Sequence, residues 1–242
     1  MNKLSPSAAE GLFWLLPQWY TQLAAHTFIT TFVPLPKDAI ALLQAGELDD
    51  LDEEERIDSL MIEELRQPMA EIPGNCFVSV DSCAPTDTER FRAKGGAVYS
   101  PRSAWQILRQ SEKVRKAAQA GLVTSICLRP FRNMTPAREF RLFIKDGKLK
   151  GMSQYHLTRH FRRLEGVREN LWGRCQLFVN AKAWRLPKGP IVMDVYFTSN
   201  YERIMIVDLN PWGGETDPKL FKWDEAWDNV PGLRVMEESA DK

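Results

Sequence analysis

Cysteine is scarce in this 242-residue chain and poorly spaced for chemistry. Cys76, Cys83, Cys127 and Cys175 form no C-x-x-C pair, and the chain is too long for a small disulfide scaffold, so free buried thiols are expected. Histidine is scarcer still. Of His26, His156 and His160 only the last two are close, one helical turn apart, with no zincin glutamate between them. That supply of ligands argues against a zinc centre. Net charge is also lacking: 32 basic residues balance 32 acidic ones, so no global field favours nucleic acid. No apolar run approaches the roughly 20 residues that cross a bilayer. The apolar stretch 11–16 lies between Glu10 and Pro17 and lacks the basic lead and cleavage site of a signal peptide. It reads as a helix of a cytoplasmic protein. Neither an internal repeat nor a low-complexity linker is present.

What is present suits a packed α+β protein of one large or two small lobes. Apolar residues make up 44% of the chain, enough for a substantial core. A stripe including Leu12, Leu15, Leu16, Trp19 and Leu23 predicts a helix over 8–25. The stretch 47–64 holds ten acids against one Arg, and reads either as a solvated helix face or as a docking surface for a basic partner. CFVSV (76–80) reads as a strand and DSCAPTDTERF after it as a loop. Residues 101–120 read as one helix, with Pro101 after Ser100 at its start and Gly121 at its stop. VTSICLRPF (123–131) reads as a buried strand. Residues 157–184 read as mostly helical and basic, with Arg159, Arg162, Arg163, Arg168 and Arg174 among Phe161, Trp172 and Phe178. A nucleic-acid groove and a basic face over an apolar stripe both fit that pattern.

Two hairpins carry the most information. In REFRLFIKDGKLKGMSQY (138–155), Asp146-Gly147 marks a type I′ turn. It pairs Lys145 with Lys148, and by strict alternation Arg141 with Met152 and Glu139 with Gln154. Phe140, Leu142, Ile144, Leu149 and Tyr155 then form a core face. Glu139, Arg141, Lys145, Lys148, Lys150 and Gln154 form a polar face, suited to a polyanion or to solvent. In the second hairpin Met193, Val195 and Phe197 alternate with Val192, Asp194 and Tyr196. Met205, Val207 and Leu209 alternate with Ile206, Asp208 and Asn210. With a turn around Asn200, Asp194 lies diagonal to Asp208, about 7–8 Å away. Asn210 is two residues on, along the same face. Two carboxylates and an amide oxygen near one strand end suit Mg²⁺ bound with substrate phosphates. Turn chemistry at Asn210-Pro211 and Gly213-Gly214, with Asp208 capping it, is the plain alternative.

The same residues resemble a known family. LRPFRNMTPAREFRLFIKDGKLKGMSQY, MDVYFTSN and IMIVDLNPWGGETDPKLFKWDEAW resemble the cell-division-cycle protein 123 family. That family carries an LRKW-type strand, an EFRxFV hairpin, a SQR strand end, a DVY strand, an IDFNP strand and a TD-x-LLF-W-E close. FVPLPKDAIALL resembles an early segment, FVSVDSCAPTDTERF its KLNWSAPKDA-type loop, and ILRQSEKV its LLKSSD-type strand. The likeness runs in order over roughly residues 12–227.

The resemblance implies an α+β, ATP-grasp-like fold, two α+β lobes holding nucleotide and metal between antiparallel sheets. The lobes are expected at 1–122 and 123–242. ATP and Mg²⁺ are the implied cofactors. Asp194, Asp208 and Asn210 fall on the family's metal positions. Arg129, Pro130 and Phe131 fall on a strand passing the adenine, Arg141 on a hairpin facing the phosphates, and Arg109 on a lysine of the nucleotide site. Glu139 and Gln154, on the polar hairpin face, join the expected nucleotide contacts. Departures occur as well. The KLNW lysine is Ser79, its Asn and Trp are Asp81 and Ser82, the SAPKDA lysine is Thr86, and SQR is Ser153-Gln154-Tyr155. Each lost lysine removes positive charge expected near phosphate. The chain stops soon after Trp227 with a short acidic tail, and a compact, divergent, prokaryotic or viral member is expected, beside eukaryotic relatives with longer acidic tails.

Three functions follow. The first is an Mg²⁺/ATP-binding assembly chaperone with a protein client, which in eukaryotes is translation initiation factor 2 and its gamma subunit. The second is an ATP-dependent ligase that activates a carboxylate as an acyl phosphate. The third is a degenerate ATP-grasp scaffold that binds protein or RNA through the basic region. No membrane partner is expected, and for the ligase reading no residue demonstrates a pocket that binds the acceptor nucleophile.

Overall fold

The computed structural model describes residues 12–198, 201–229 and 231–238. They divide into two compact units. One is residues 28–133; the other joins residues 1–27 to 134–242. The boundary therefore falls elsewhere than the expected 122/123, for two reasons. Strand β4 (Ser125–Pro130) lies between β1 (Thr31–Pro34) and β2 (Cys76–Val80), paired antiparallel to both, and belongs to the first of these units. The N-terminal helix α1 (Leu16–Leu23) is tied to the C-terminal half: Arg185 donates to the Gln22 carbonyl at 2.7 Å, and Thr27 Oγ1 to the Ile206 carbonyl at 2.8 Å.

The unit 28–133 is a four-stranded sheet in the order β1-β4-β2-β3, with β3 at Ala97–Val98. Its helices are α2 (Lys37–Ala45), α3 (Leu51–Glu64), α4 (Arg66–Ala70), α5 (Glu89–Lys94), α6 (Pro101–Arg109) and α7 (Glu112–Gln119). Their starts follow ordinary capping rules. Asp50 accepts the Glu53 N–H ahead of an acidic first turn, and Ser100 and Ser103 form a capping box with Pro101 in the first turn. The single helix expected over 101–120 is two. Gln110 ends α6, and Ser111 caps α7 by accepting the Val114 N–H. ILRQSEKV accordingly spans helix rather than the strand its family likeness suggested. The expected loop over 81–91 ends in α5, capped by Thr88. Val78, Val80, Leu42, Met61, Trp105, Ile107, Leu108 and Leu128 pack into the core of this unit.

The other unit is a five-stranded sheet, β8-β7-β5-β6-β9, antiparallel except for β6 with β9. Its strands are β5 (Glu139–Lys145), β6 (Lys148–Gln154), β7 (Ile191–Phe197), β8 (Ile204–Pro211) and β9 (Leu233–Arg234). Helix α8 (Arg168–Lys182) packs on β6 and β9 through buried Leu171, Cys175 and Val179. Residues 162–167 form a 3₁₀ turn rather than α-helix, so the expected 157–184 helix begins late. The Asp146-Gly147 turn has φ of 53° and 68°, as a type I′ turn demands. Residues 8–11 of the expected first helix and the turn residue Asn200 lie outside the described residues. All four cysteines are free thiols, and three are buried.

Two irregularities reset the alternation read from sequence. Between Phe143 and Ile144 the β5–β6 register shifts, so Arg141 pairs with Ser153, Leu142 with Met152 and Phe140 with Gln154. Gln154 therefore shares the face of Phe140, not that of Arg141. Between Asp194 and Val195 the β7–β8 register also shifts. Asp194 then pairs directly with Asp208, not diagonally, and Ile206 pairs with Val195 in the core. A β-bulge inserts one residue on one strand, which hydrophobic alternation alone does not reveal.

The face that carries Arg141 also carries Phe143, and around it the chain beyond β8 folds an aromatic cluster. Phe143 lies 4.8 Å from Trp227 and 5.1 Å from Phe221 between ring centroids, and Phe221 stacks on Trp227. This works because position 151, opposite Phe143, is glycine: a Cβ there would come within 2.9 Å of the Phe221 ring. Gly151→Ala should destabilise the protein by about 1–3 kcal/mol through overpacking. Gly189→Ala, with nothing within 4 Å, should stay within about 0.5 kcal/mol of the unmodified protein. Urea denaturation of both variants checks this, and equal midpoints would contradict it.

Candidate functional site

Strands β5, β7 and β8 lay four polar side chains on one sheet face. Arg141 pairs with Asp194 across β5–β7, Asp194 with Asp208 across β7–β8, and Val192 with Asn210 one pair further along. Arg141 and Asp194 are buried, each 5% exposed or less. The guanidinium grips the carboxylate at two points: Nε donates to Oδ1 and Nη2 to Oδ2, both at 2.8 Å. Asn210 Nδ2 adds a third hydrogen bond to Oδ2 at 3.0 Å. Asp208 Oδ1 accepts the N–H of Leu209 at 3.0 Å.

Electrostatics explains why this arrangement holds. Two carboxylates directly opposite on a sheet repel. A bidentate guanidinium on one of them offsets that cost. Burial works against the charge on Arg141, but hydrogen bonding and attraction to Asp194 outweigh it and raise its pKa further, so it stays charged. Its remaining Nη1 donates to the Asp217 carbonyl at 2.6 Å. That contact ties the segment after β8 to the sheet face that carries Arg141. Tyr155 lies beside the pair, its ring centroid 5.2 Å from the Arg141 guanidinium carbon. Burial first, and the Asp194 charge next, push the Tyr155 hydroxyl pKa up, so it remains a neutral phenol.

The oxygens here suit a hard divalent cation held together with phosphate. Asp194 uses three of the roughly four hydrogen-bond positions a carboxylate offers. Asp194, Asp208 and the Asn210 amide oxygen are the side chains that would hold such an ion, with Arg141 fixing the orientation of Asp194. Among the described residues no group of three or more His, Cys, Asp and Glu is placed to hold a metal. The candidate set is different in kind, two acids and one amide.

The other expected contacts separate. Arg109, expected at the nucleotide site, is turned onto α3, donating to Asp58 at 2.9 and 3.0 Å, to Glu54 at 2.8 Å and to the Gly46 carbonyl at 2.7 Å. Part of the acidic stretch is thereby an internal ion-pair partner rather than a wholly solvated face. Gln154 is fully buried, and its amide is spent internally. Nε2 donates to the His156 and Arg159 carbonyls, and Oε1 accepts the Met236 N–H. Glu139 is buried on the Arg141 face and lies 2.9 Å from His156 Nε2. Arg129 is buried on β4, where Nε donates to Thr30 Oγ1 at 3.1 Å, with Pro130 and Phe131 at the same strand end. These three, like Arg109, belong to the unit 28–133. Asp81, where the family has Asn, is a buried knot that accepts the N–H groups of Thr124 and Ser125 and the Ser125 hydroxyl. In the basic region, Arg168 donates to the Leu233 carbonyl, Arg174 to the Glu202 carbonyl, and Arg159 lies over Phe161. Those arginines are engaged in packing their own unit.

Sequence reasoning missed one cation. Lys219 sits with its ammonium 4.2 Å from the Tyr155 ring centroid and 3.0 Å from Asp217 Oδ2. The only signal was a lysine directly before the apolar pair Leu220-Phe221 in TDPKLF.

With this geometry, the fold and site define a two-unit α+β protein with a polar, arginine-centred sheet face. A family model described as D123 matches residues 101–241. The chain belongs to this family, the cell-division-cycle protein 123 family. It is 33% identical over 126 residues to a translation initiation factor eIF2 assembly protein of Aspergillus fumigatus, covering 52% of this chain and 30% of that one. It is 32% identical over 124 residues to cell division cycle protein 123 of Eremothecium gossypii, covering 48% of this chain and 35% of that one. The match thus spans about a third of the length of these relatives. The structure of Cdc123 from Schizosaccharomyces pombe superposes with a TM-score of 0.78 at 17% identity, covering 98% of this chain and 100% of that one. The chain therefore has the Cdc123 fold, the expected α+β architecture, which the resemblance above describes as ATP-grasp-like. No helix among the described residues is long and apolar enough to cross a membrane.

Arg141→Ala should cost about 3–5 kcal/mol, because it leaves Asp194 buried without its ion partner. Arg141→Met combined with Asp194→Leu should recover most of that loss. Denaturant midpoints at constant slope measure both, and an Arg141→Ala change under about 0.5 kcal/mol would contradict the buried-pair account.

Proposed function

We propose that this chain binds ATP with Mg²⁺ and uses that binding to assist assembly of a protein client in the cytoplasm. The observation that carries the reading is the set Asp194, Asp208, Asn210 and Arg141 on one sheet face. Metal chemistry explains the composition of the set. A magnesium ion would neutralise phosphate charge and fix the orientation of the triphosphate. The protein's own contribution is to hold Asp194 and Asp208 across adjacent strands and to keep the Asp194 carboxylate oriented by Arg141 and Asn210. Arg129 with Pro130 and Phe131 is the proposed adenine strand, and Glu139 a further nucleotide contact. Arg109 and Gln154 are left out, their donors being engaged elsewhere.

The assembly role rests on family membership and on relatives named for eIF2 assembly. The proposed client is accordingly a translation initiation factor 2 subunit or its counterpart in the source organism.

Titration of a fluorescent ATP analogue with and without Mg²⁺ tests the reading. Binding should require the metal, weaken by about tenfold or more in Asp208→Ala, where a charged ligand is lost, and persist in Arg109→Ala. Metal-dependent binding that survives Asp208→Ala would overturn the ligand assignment.

A further inference from the structure

Segment 216–221 brings an additional charge to the site. Lys219 is a non-glycine residue in the left-handed region, at φ 59°, an uncommon conformation for a lysine. Its N–H donates to Asp217 Oδ1 at 2.8 Å and its ammonium lies 3.0 Å from Asp217 Oδ2. The next residue is pinned to β6, the Leu220 N–H donating to Ser153 Oγ at 3.2 Å. The result is a lysine side chain only 14% exposed, unusual for this residue type. Its ammonium rests on the Tyr155 ring, and Arg141 approaches the same ring. Arg141 also holds the Asp217 carbonyl, so Lys219, Asp217, Arg141 and Asp194 form one continuous chain of contacts.

Counting Asp194, Asp208, Asp217 and Glu139 against Arg141 and Lys219 leaves two net negative charges. One divalent cation would cancel them, and without Lys219 the same set would stay net negative and repel a triphosphate. We propose that Lys219 is a phosphate-binding residue of this site, its ammonium held against Tyr155 and Asp217 within reach of the terminal phosphates of a magnesium nucleoside triphosphate. This rests on the nucleotide reading above. It also accounts for a paired exchange: the SQR motif has arginine where this chain has Tyr155, and TD-x-LLF has leucine where it has Lys219. The charge absent from β6 returns on a neighbouring segment and lies over the ring that took its place.

Calorimetric titration of the intact chain with Mg·ATP and with AMP tests the assignment, using Lys219→Gly, Lys219→Gln and Lys219→Arg. Glycine suits the left-handed backbone and should keep the melting temperature. Both neutral variants should bind Mg·ATP about tenfold or more weakly, with AMP affinity unchanged and Lys219→Arg close to the unmodified protein. If the unmodified chain binds Mg·ATP and both neutral variants match it, the Lys219 assignment falls and the site reading stands. Equal loss of ATP and AMP affinity, or unfolding of both neutral variants, would make Lys219 structural and also overturn it. No Mg·ATP binding by the unmodified chain would overturn both readings.

Discussion

The guanidinium of Arg141 against the carboxylate of Asp194 is the contact on which the polar face of this sheet depends. Both groups are buried on adjacent strands, and each satisfies the other at two points. An acid buried here alone would be costly, and two opposed acids on β7 and β8 costlier. With the arginine in place, the carboxylates are tolerated in the middle of β7 and β8. The same guanidinium reaches the Asp217 carbonyl and so organises the loop that carries Lys219. One ion pair thus links a sheet register, a loop position and the chemistry proposed for the site.

The aromatic cluster does related work on the same face. Phe143, Phe221 and Trp227 close over Gly151, and the Arg234 guanidinium carbon lies 3.9 Å from the Phe221 ring centroid. Arg234 also pairs with Glu225 and donates to the Leu220 carbonyl. The irregular chain after β8 is therefore anchored at Arg141, Ser153 and Arg234. The polar set beside it inherits a dry, fixed flank without any regular element supplying it.

Much of this was legible in the sequence. The type I′ turn, the strands around it and the shared face of Asp194, Asp208 and Asn210 follow from turn chemistry and alternation. The pairings did not follow, because a bulge in each hairpin shifts register without altering the hydrophobic pattern. That is why Gln154 changes face and Asp208 lies directly opposite Asp194. Arg109 was read from a motif position, but its guanidinium is captured by Glu54 and Asp58, acids more than fifty residues earlier in the chain. Long-range pairing of this kind has no local signature. Lys219 went unread for the same reason: its surroundings arise only when 216–221 folds back on β6. The break at Ser111 was legible in principle, since a serine before Glu112 is a helix-start signal inside the longer helical pattern.

The most direct test of the central claim is a crystal structure of the intact chain grown with Mn²⁺ and a non-hydrolysable ATP analogue, with manganese located by its anomalous scattering. The account predicts a single peak bound by Asp194 and Asp208 and bridging to the analogue's phosphates, with Arg141 still holding Asp194. A peak away from these two carboxylates, or none at saturating analogue and metal, would contradict it.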